Sequence, residues 1–158
     1  MEKIVYLVGD ATKPQSAGKK IIAHVCNDIG AWGRGFVLAL SKLSPAPERA
    51  FKEWYRGRER NDFALGAVQF VSVSPDVSVA NMVGQHGIRK SNDVPPIRYD
   101  AVKAALKIVG EKAQAENASV HLPRIGCGLA GGKWSEIEPI IERQICGAGV
   151  AVFVYDLS

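Results

Sequence analysis

The chain has 158 residues, 47% hydrophobic and 23% charged, which supplies one compact core and argues against a disordered chain. Its formal net charge of +4 mildly favours an anionic ligand without separating nucleic acid from nucleotide. No apolar run approaches the roughly 20 residues of a membrane-spanning helix. Three cysteines (Cys26, Cys127, Cys146) without a C-x-x-C pair argue against a disulfide framework or a zinc site. The charged lead Met-Glu-Lys-Ile-Val-Tyr lacks the features of a signal peptide. These features together set the expectation of a single cytoplasmic domain over residues 1–158, with no metal and no membrane contact.

In chain order, the first strand is expected at 4–8 and the second at 21–25. Phe51, Trp54 and Tyr55 then fall at i, i+3, i+4 and share one helix face. Arg56-Gly-Arg-Glu-Arg-Asn-Asp62 reads as an exposed, mobile loop. Strands follow at 67–73 and 79–83. After the Pro95-Pro96 breaker, Ile97, Ala101, Ala105, Leu106, Val109 and Ala113 form a long amphipathic stripe. A strand at 119–122 leads into a glycine-rich loop, and Ile137, Ile140, Ile141 and Ile145 mark a further helix. Ser135-x-x-Glu138 resembles its capping box, and Pro139 argues against a much earlier start. The last strand is expected at 150–154. Valine- and isoleucine-rich, continuous apolar strands alternating with helices imply an α/β sheet covered on both faces.

Ligands of such sheets gather in the loops beyond the strand ends. Gly126, Gly128, Gly131 and Gly132 bring several N–H groups close to one point, and the dipole of the helix that follows is expected to face it, which suits a phosphate or diphosphate. The G-x-G-x-x-G spacing lies too near the C-terminus for a dinucleotide fold of the usual kind. Gly9-Asp10-Ala11-Thr12 ends the first strand, where Asp10 suits an exocyclic amine such as that of adenine, or caps a turn. Cys26 to Phe36 is a second glycine-rich loop: Asn27 suits ribose hydroxyls, Gly33 and Gly35 admit close approach, and Arg34 suits an anion. Trp32 reads as a packing residue. In the third loop, Asn81 to Lys90, Gln85 or His86 would position a water or meet a ribose hydroxyl, whereas His24 and His121 read as core or edge residues. Cys127 sits where a helix N-terminus would lower its pKa, but no histidine base accompanies it by motif.

With these loops together, the chain resembles a macrodomain, the ADP-ribose-binding module, over nearly its whole length. Trp32-Gly-Arg-Gly35, Gln85-His86 and Ala118-Ser-Val-His-Leu-Pro-Arg-Ile-Gly126 are most similar to the branch of the poly-ADP-ribose-activated chromatin remodeller. They are also similar to terminal ADP-ribose protein glycohydrolase and to ADP-ribose-1″-phosphate phosphatase. The resemblance implies a three-layer α/β/α sandwich around a mixed six-stranded sheet. It implies that adenine meets Asp10 and Ala11, with Tyr155 and Asp156 near the base. The diphosphate would lie on the N–H groups of Gly128 to Gly131, in a loop whose Gly126, Cys127, Leu129 and Ala130 also belong to the implied ADP-ribose site. The distal ribose would reach Asn27, Gly33 and Gly35, in a loop from Asn27 to Phe36 whose Arg34 and Phe36 also belong to the implied ADP-ribose site.

Catalysis departs from the pattern. The terminal glycohydrolase uses a lysine after the fourth strand and an aspartate just after Gly-Cys-Gly-Leu, and this sequence has Gln85 and Ala130 there. Asp28, Gln85 and His86 are the remaining catalytic candidates, as acid or base or as groups that orient an attacking water. The leading expectation is a monomeric hydrolase, without cofactor, that removes ADP-ribose from modified protein or nucleic acid. The alternatives are a non-catalytic reader and an ADP-ribose-1″-phosphate phosphatase.

Overall fold

The computed structural model describes residues 3–157. Its six strands are β1 (Ile4–Val8), β2 (Lys20–Asn27), β3 (Val68–Ser74), β4 (Val77–Gln85), β5 (Ser119–Leu122) and β6 (Val152–Asp156). They form one sheet in the order β1-β6-β5-β2-β4-β3. Every pairing is parallel except β3 with β4. The sheet is therefore mixed, as expected, with the antiparallel strand at one edge.

Four helices cover it: α1 (Phe36–Leu43), α2 (Ala46–Arg56), α3 (Tyr99–Glu116) and α4 (Trp134–Gln144). Side-chain alternation along β2 separates the two faces. Ile21 and Ala23 join the core under α3 and α4, with Leu106, Val109, Ile137 and Ile141. Ile22 packs with Leu40 of α1, and Cys26 packs with Phe51 and Trp54 of α2. The result is the expected α/β/α sandwich. Burying both faces explains the continuous apolar runs of β2 and β4.

Two local expectations need correction. The capping box at Ser135 does not form: the N-cap is Lys133, two residues earlier, and no side-chain hydrogen bond caps it. Pro139 lies inside that helix and only forgoes the bond to the Ser135 carbonyl. The loop at 56–62 is exposed but built, with a 3₁₀ turn at Arg58–Arg60. Asp62 accepts the Trp54 indole N–H at 2.8 Å, Asn61 donates to the Trp54 carbonyl at 2.8 Å, and Arg58 lies 4.1 Å over the Tyr55 ring.

Because β1, β2, β4, β5 and β6 all run parallel, their C-terminal ends open on one edge of the sheet. There β2 stands between β5 and β4, and the loops after these three strands surround a crevice.

Candidate functional site: an anion-binding crevice at the strand ends

The glycine-rich loop after β5 is folded on itself. The Gly132 N–H donates to the Gly126 carbonyl at 2.7 Å and the Gly131 N–H to the Gly128 carbonyl at 3.1 Å. The Ala130 carbonyl accepts from Ile97 at 3.0 Å, which ties the loop to the segment before α3. Gly126 has φ 70°, and a Cβ there would come within 2.7 Å of Ile97 and 2.9 Å of Ile137, so only glycine fits. The N–H groups of Gly128, Leu129 and Ala130 have no acceptor among the described residues. A Cβ on Gly128 would meet nothing within 4 Å, which leaves open space before those amides.

Across this space stands the N-terminus of α1. Gly35, at φ 73°, turns the chain into the helix, and no side chain caps the start. Trp32, in the loop before the helix, ties the two together: its indole N–H donates to Ser41 of α1 at 2.9 Å, and its ring lies edge-on to His24 at 5.4 Å. Residues Arg34, Gly35, Phe36 and Val37 line a cavity of about 310 Å³ together with Gly126, Gly128, Leu129 and Ala130. Unpaired amides and a helix dipole thus converge on one volume, an arrangement made for a phosphate. The helix contributing its dipole is α1, not the expected α4. The loop doubles back at Gly132, so none of the α4 residues lines the cavity, and its first residue, Trp134, packs against Tyr6 and against Arg124, which does line it.

A second cavity of about 480 Å³ adjoins the first and is lined by Asn27, Ala31, Gly33, Arg34, Gln85, Ile88, Arg89 and Leu129, among others. Gln85 borders both. Its Nε2 donates to the Gly87 carbonyl at 3.0 Å, and its Oε1 has no donor among the described residues. Asn27 is largely occupied by its own loop: its Oδ1 accepts from Ile29 and Ala31, and its Nδ2 donates to the Ala31 carbonyl. It shapes the wall, and it offers a ribose less than the sequence implied.

Of the three catalytic candidates, the structure brings only Gln85 to the crevice. Asp28 and His86 line neither cavity. They pair with each other at 2.7 Å, and Asp28 also accepts the Gly87 N–H at 2.7 Å. The pair clamps the loop that carries Ile88 and Arg89. Among the described residues, no aspartate or glutamate lines either cavity.

Asp10 and Thr12 border a third hollow of about 500 Å³ with Ala39, Lys42 and Leu43, at the far end of α1. Asp10 Oδ1 accepts the Thr12 N–H at 2.8 Å and its hydroxyl at 2.7 Å, so the turn-capping role is real, and the second oxygen has no partner among the described residues. Ala11 is buried. Helix α1 therefore runs from the amide cradle at its start to the Asp10 hollow at its end.

Several expected binding residues are placed elsewhere. Cys127 lines neither cavity and packs against the core, and burial raises its pKa, which removes the basis for a thiolate. Gly131 is wedged against Pro95. Tyr155 is buried, with its hydroxyl on His121 Nδ1 at 2.8 Å. Asp156 is taken by Arg124.

Sequence reasoning missed Arg124, Arg89 and Val37 as crevice residues. The signal available was a cation in each of two chemistry-bearing loops. His24 also touches the crevice, but it is buried, and desolvation pushes its pKa down to about 4, so it stays neutral.

Fold and site define an α/β/α domain whose anion cradle faces a helix N-terminus at the strand ends. No family model matches the chain. A macrodomain protein from Streptomyces coelicolor is 55% identical, with a TM-score of 0.89, over 98% of this chain and 99% of that one. The chromodomain-helicase-DNA-binding protein 1-like of Danio rerio is 33% identical over 161 residues, covering 96% of this chain. The chain spans 15% of that relative's length. An ADP-ribose 1″-phosphate phosphatase from Meyerozyma guilliermondii is 22% identical over 167 residues, covering 91% of this chain and 95% of the phosphatase. This chain belongs to the macrodomain family.

Proposed function

We propose that the crevice binds ADP-ribose and that the protein hydrolyses the bond joining the distal ribose to a modified macromolecule. The observation that carries the reading is the pairing of unpaired Gly128, Leu129 and Ala130 amides with the α1 N-terminus across a cavity sized for a diphosphate. The Asp10 hollow at the other end of α1 suits the adenine, and the second cavity suits the distal ribose. The phosphatase relative, whose name carries an ADP-ribose ester, supports the ligand class.

In this reading Gln85 does the orienting. Its free Oε1 at the junction of the cavities accepts a hydrogen bond from water and directs the water oxygen to C1″. The hydroxyl adds to C1″, the bond to the acceptor breaks, and the acceptor leaves with a proton. An amide oxygen orients water without deprotonating it, so turnover is slow. The lack of a carboxylate among the described lining residues favours a second reading, a non-catalytic ADP-ribose reader.

The test is release of free ADP-ribose from ADP-ribosylated protein and from ADP-ribosylated DNA, with Gly128→Glu as the blank. Release that vanishes in the variant supports the hydrolase. Clear ADP-ribose binding with no release makes the protein a reader, and inorganic phosphate from ADP-ribose 1″-phosphate instead would identify a phosphatase.

A further inference from the structure

The second cavity is distinguished by charge. Among the described residues its lining carries two cations, Arg34 and Arg89, and no acid. Neither guanidinium has an acceptor among the described residues. That contrasts with Arg124, Arg98 and Arg58, whose guanidinium groups are held by Asp156, by carbonyls at 95–97 and by Tyr55. Asp28, which follows the lining residue Asn27, is turned onto His86 and the Gly87 N–H. Arg34 stands between Gly33 and Gly35 at the uncapped start of α1, whose dipole adds to the same sign of field. Arg89 is presented from the opposite loop, which the Asp28–His86 pair clamps. Two free cations approach one space from two sides, with nothing in the lining to neutralise them.

We infer that Arg34 and Arg89 form a charge-selecting clamp for an anionic group carried at or beside C1″ of the distal ribose. The inference rests on the ADP-ribose reading, which places the distal ribose in this cavity. It sets a substrate class: ligands negative at C1″ are favoured, and ligands positive there, such as a nicotinamide ring or an arginine-linked acceptor, are disfavoured. Guanidinium groups suit this work because they meet phosphate and carboxylate oxygens two at a time. Both arginines are exposed, so the selection weakens with ionic strength.

Calorimetry with three ligands that differ at one carbon tests the clamp: ADP-ribose 1″-phosphate, ADP-ribose and NAD, with a negative, neutral and cationic substituent there. The expected order of affinity is phosphate, then ADP-ribose, then NAD, with steps of about threefold or more at low salt that shrink at high salt. In Arg34→Gln/Arg89→Gln the ratio between the phosphate and NAD affinities should collapse toward one. Both positions are exposed, so the double variant is expected to fold. ADP-ribose binding with a flat or reversed order in the native protein overturns the clamp and leaves the ADP-ribose reading standing. A persistent ratio in the double variant also overturns it. Failure of all three ligands to bind the folded protein overturns the ADP-ribose reading itself, and the clamp with it.

Discussion

Arg124 grips both carboxylate oxygens of Asp156, Nε to Oδ1 and Nη2 to Oδ2, each at 2.8 Å. The same guanidinium lies 4.9 Å from the Tyr6 ring centroid and 4.8 Å from that of Trp134. One side chain thus joins the middle of β1 and the ends of β5 and β6 to the start of α4, and it also lines the amide cradle. The pair holds the Asp156 carboxyl below, and the Arg124 guanidinium above, its ordinary pKa. Asp156 is occupied by Arg124 and lines none of the three cavities.

Arg124→Lys keeps the charge but loses the fork and the flat stacking surface. ADP-ribose affinity should fall about three- to tenfold. Because long-range attraction survives, the change should appear as faster dissociation in stopped-flow or surface binding kinetics. Unaltered kinetics would show that the cradle holds its shape without this lock.

Gly128→Glu places a carboxylate directly before the unpaired amides. The open space at that Cβ means the chain should fold normally, with melting within roughly 3 °C of the parent. ADP-ribose binding should be lost in calorimetry. A folded variant that still binds would move the diphosphate out of the cradle.

Asp10→Asn separates two roles of one side chain. The amide oxygen can still accept from the Thr12 N–H and hydroxyl, so the turn and the stability should persist. The second oxygen becomes an NH₂ donor and can no longer accept from an exocyclic amine, which should cost about 1–3 kcal/mol of ADP-ribose affinity. Native affinity in this variant would leave Asp10 with the turn alone.

Two buried histidines predict an acid-labile fold. His24 donates to Asn81 at 2.6 Å, and His121 holds the Tyr155 hydroxyl at 2.8 Å. Burial pushes both pKa values down to about 4, from an unfolded value of 6.5. Between these limits the unfolded chain binds protons that the folded chain refuses. Stability should therefore be flat above pH 6.5, fall as pH drops toward 4, and lose roughly 2–3 kcal/mol per histidine. Urea titrations at pH 7.5, 6 and 4.5 measure the slope. His24→Gln should flatten part of it, and equal stability across that range would exclude the account.

Much of the chain could be read without coordinates. The expected strands at 4–8 and 119–122 coincide with β1 and β5, and the others lie within a few residues of theirs. Local pattern suffices here, because a strand buried on both faces must be apolar throughout. The α3 stripe was legible for the same reason, since every 3.6 residues one side chain must meet the sheet. Chemistry in the loops was legible as residue type: glycines where the backbone must turn, cations where the crevice walls stand. The sequence by itself therefore determined the layers, the class of site and the loops that build it.

Tertiary structure alone decided which groups meet. Strand order sets β5 beside β2, and this brings the loop at 126–132 to the start of α1 rather than to its own following helix. It also decided that Asp28 turns to His86, Asp156 to Arg124 and Asn27 to its own loop, while among the described residues Gln85 Oε1 and the Arg34 and Arg89 guanidinium groups have no partner. A side chain's chemistry is local, but its partner is whatever the fold places within about 3 Å. That choice depends on residues tens of positions away, and no local pattern encodes it.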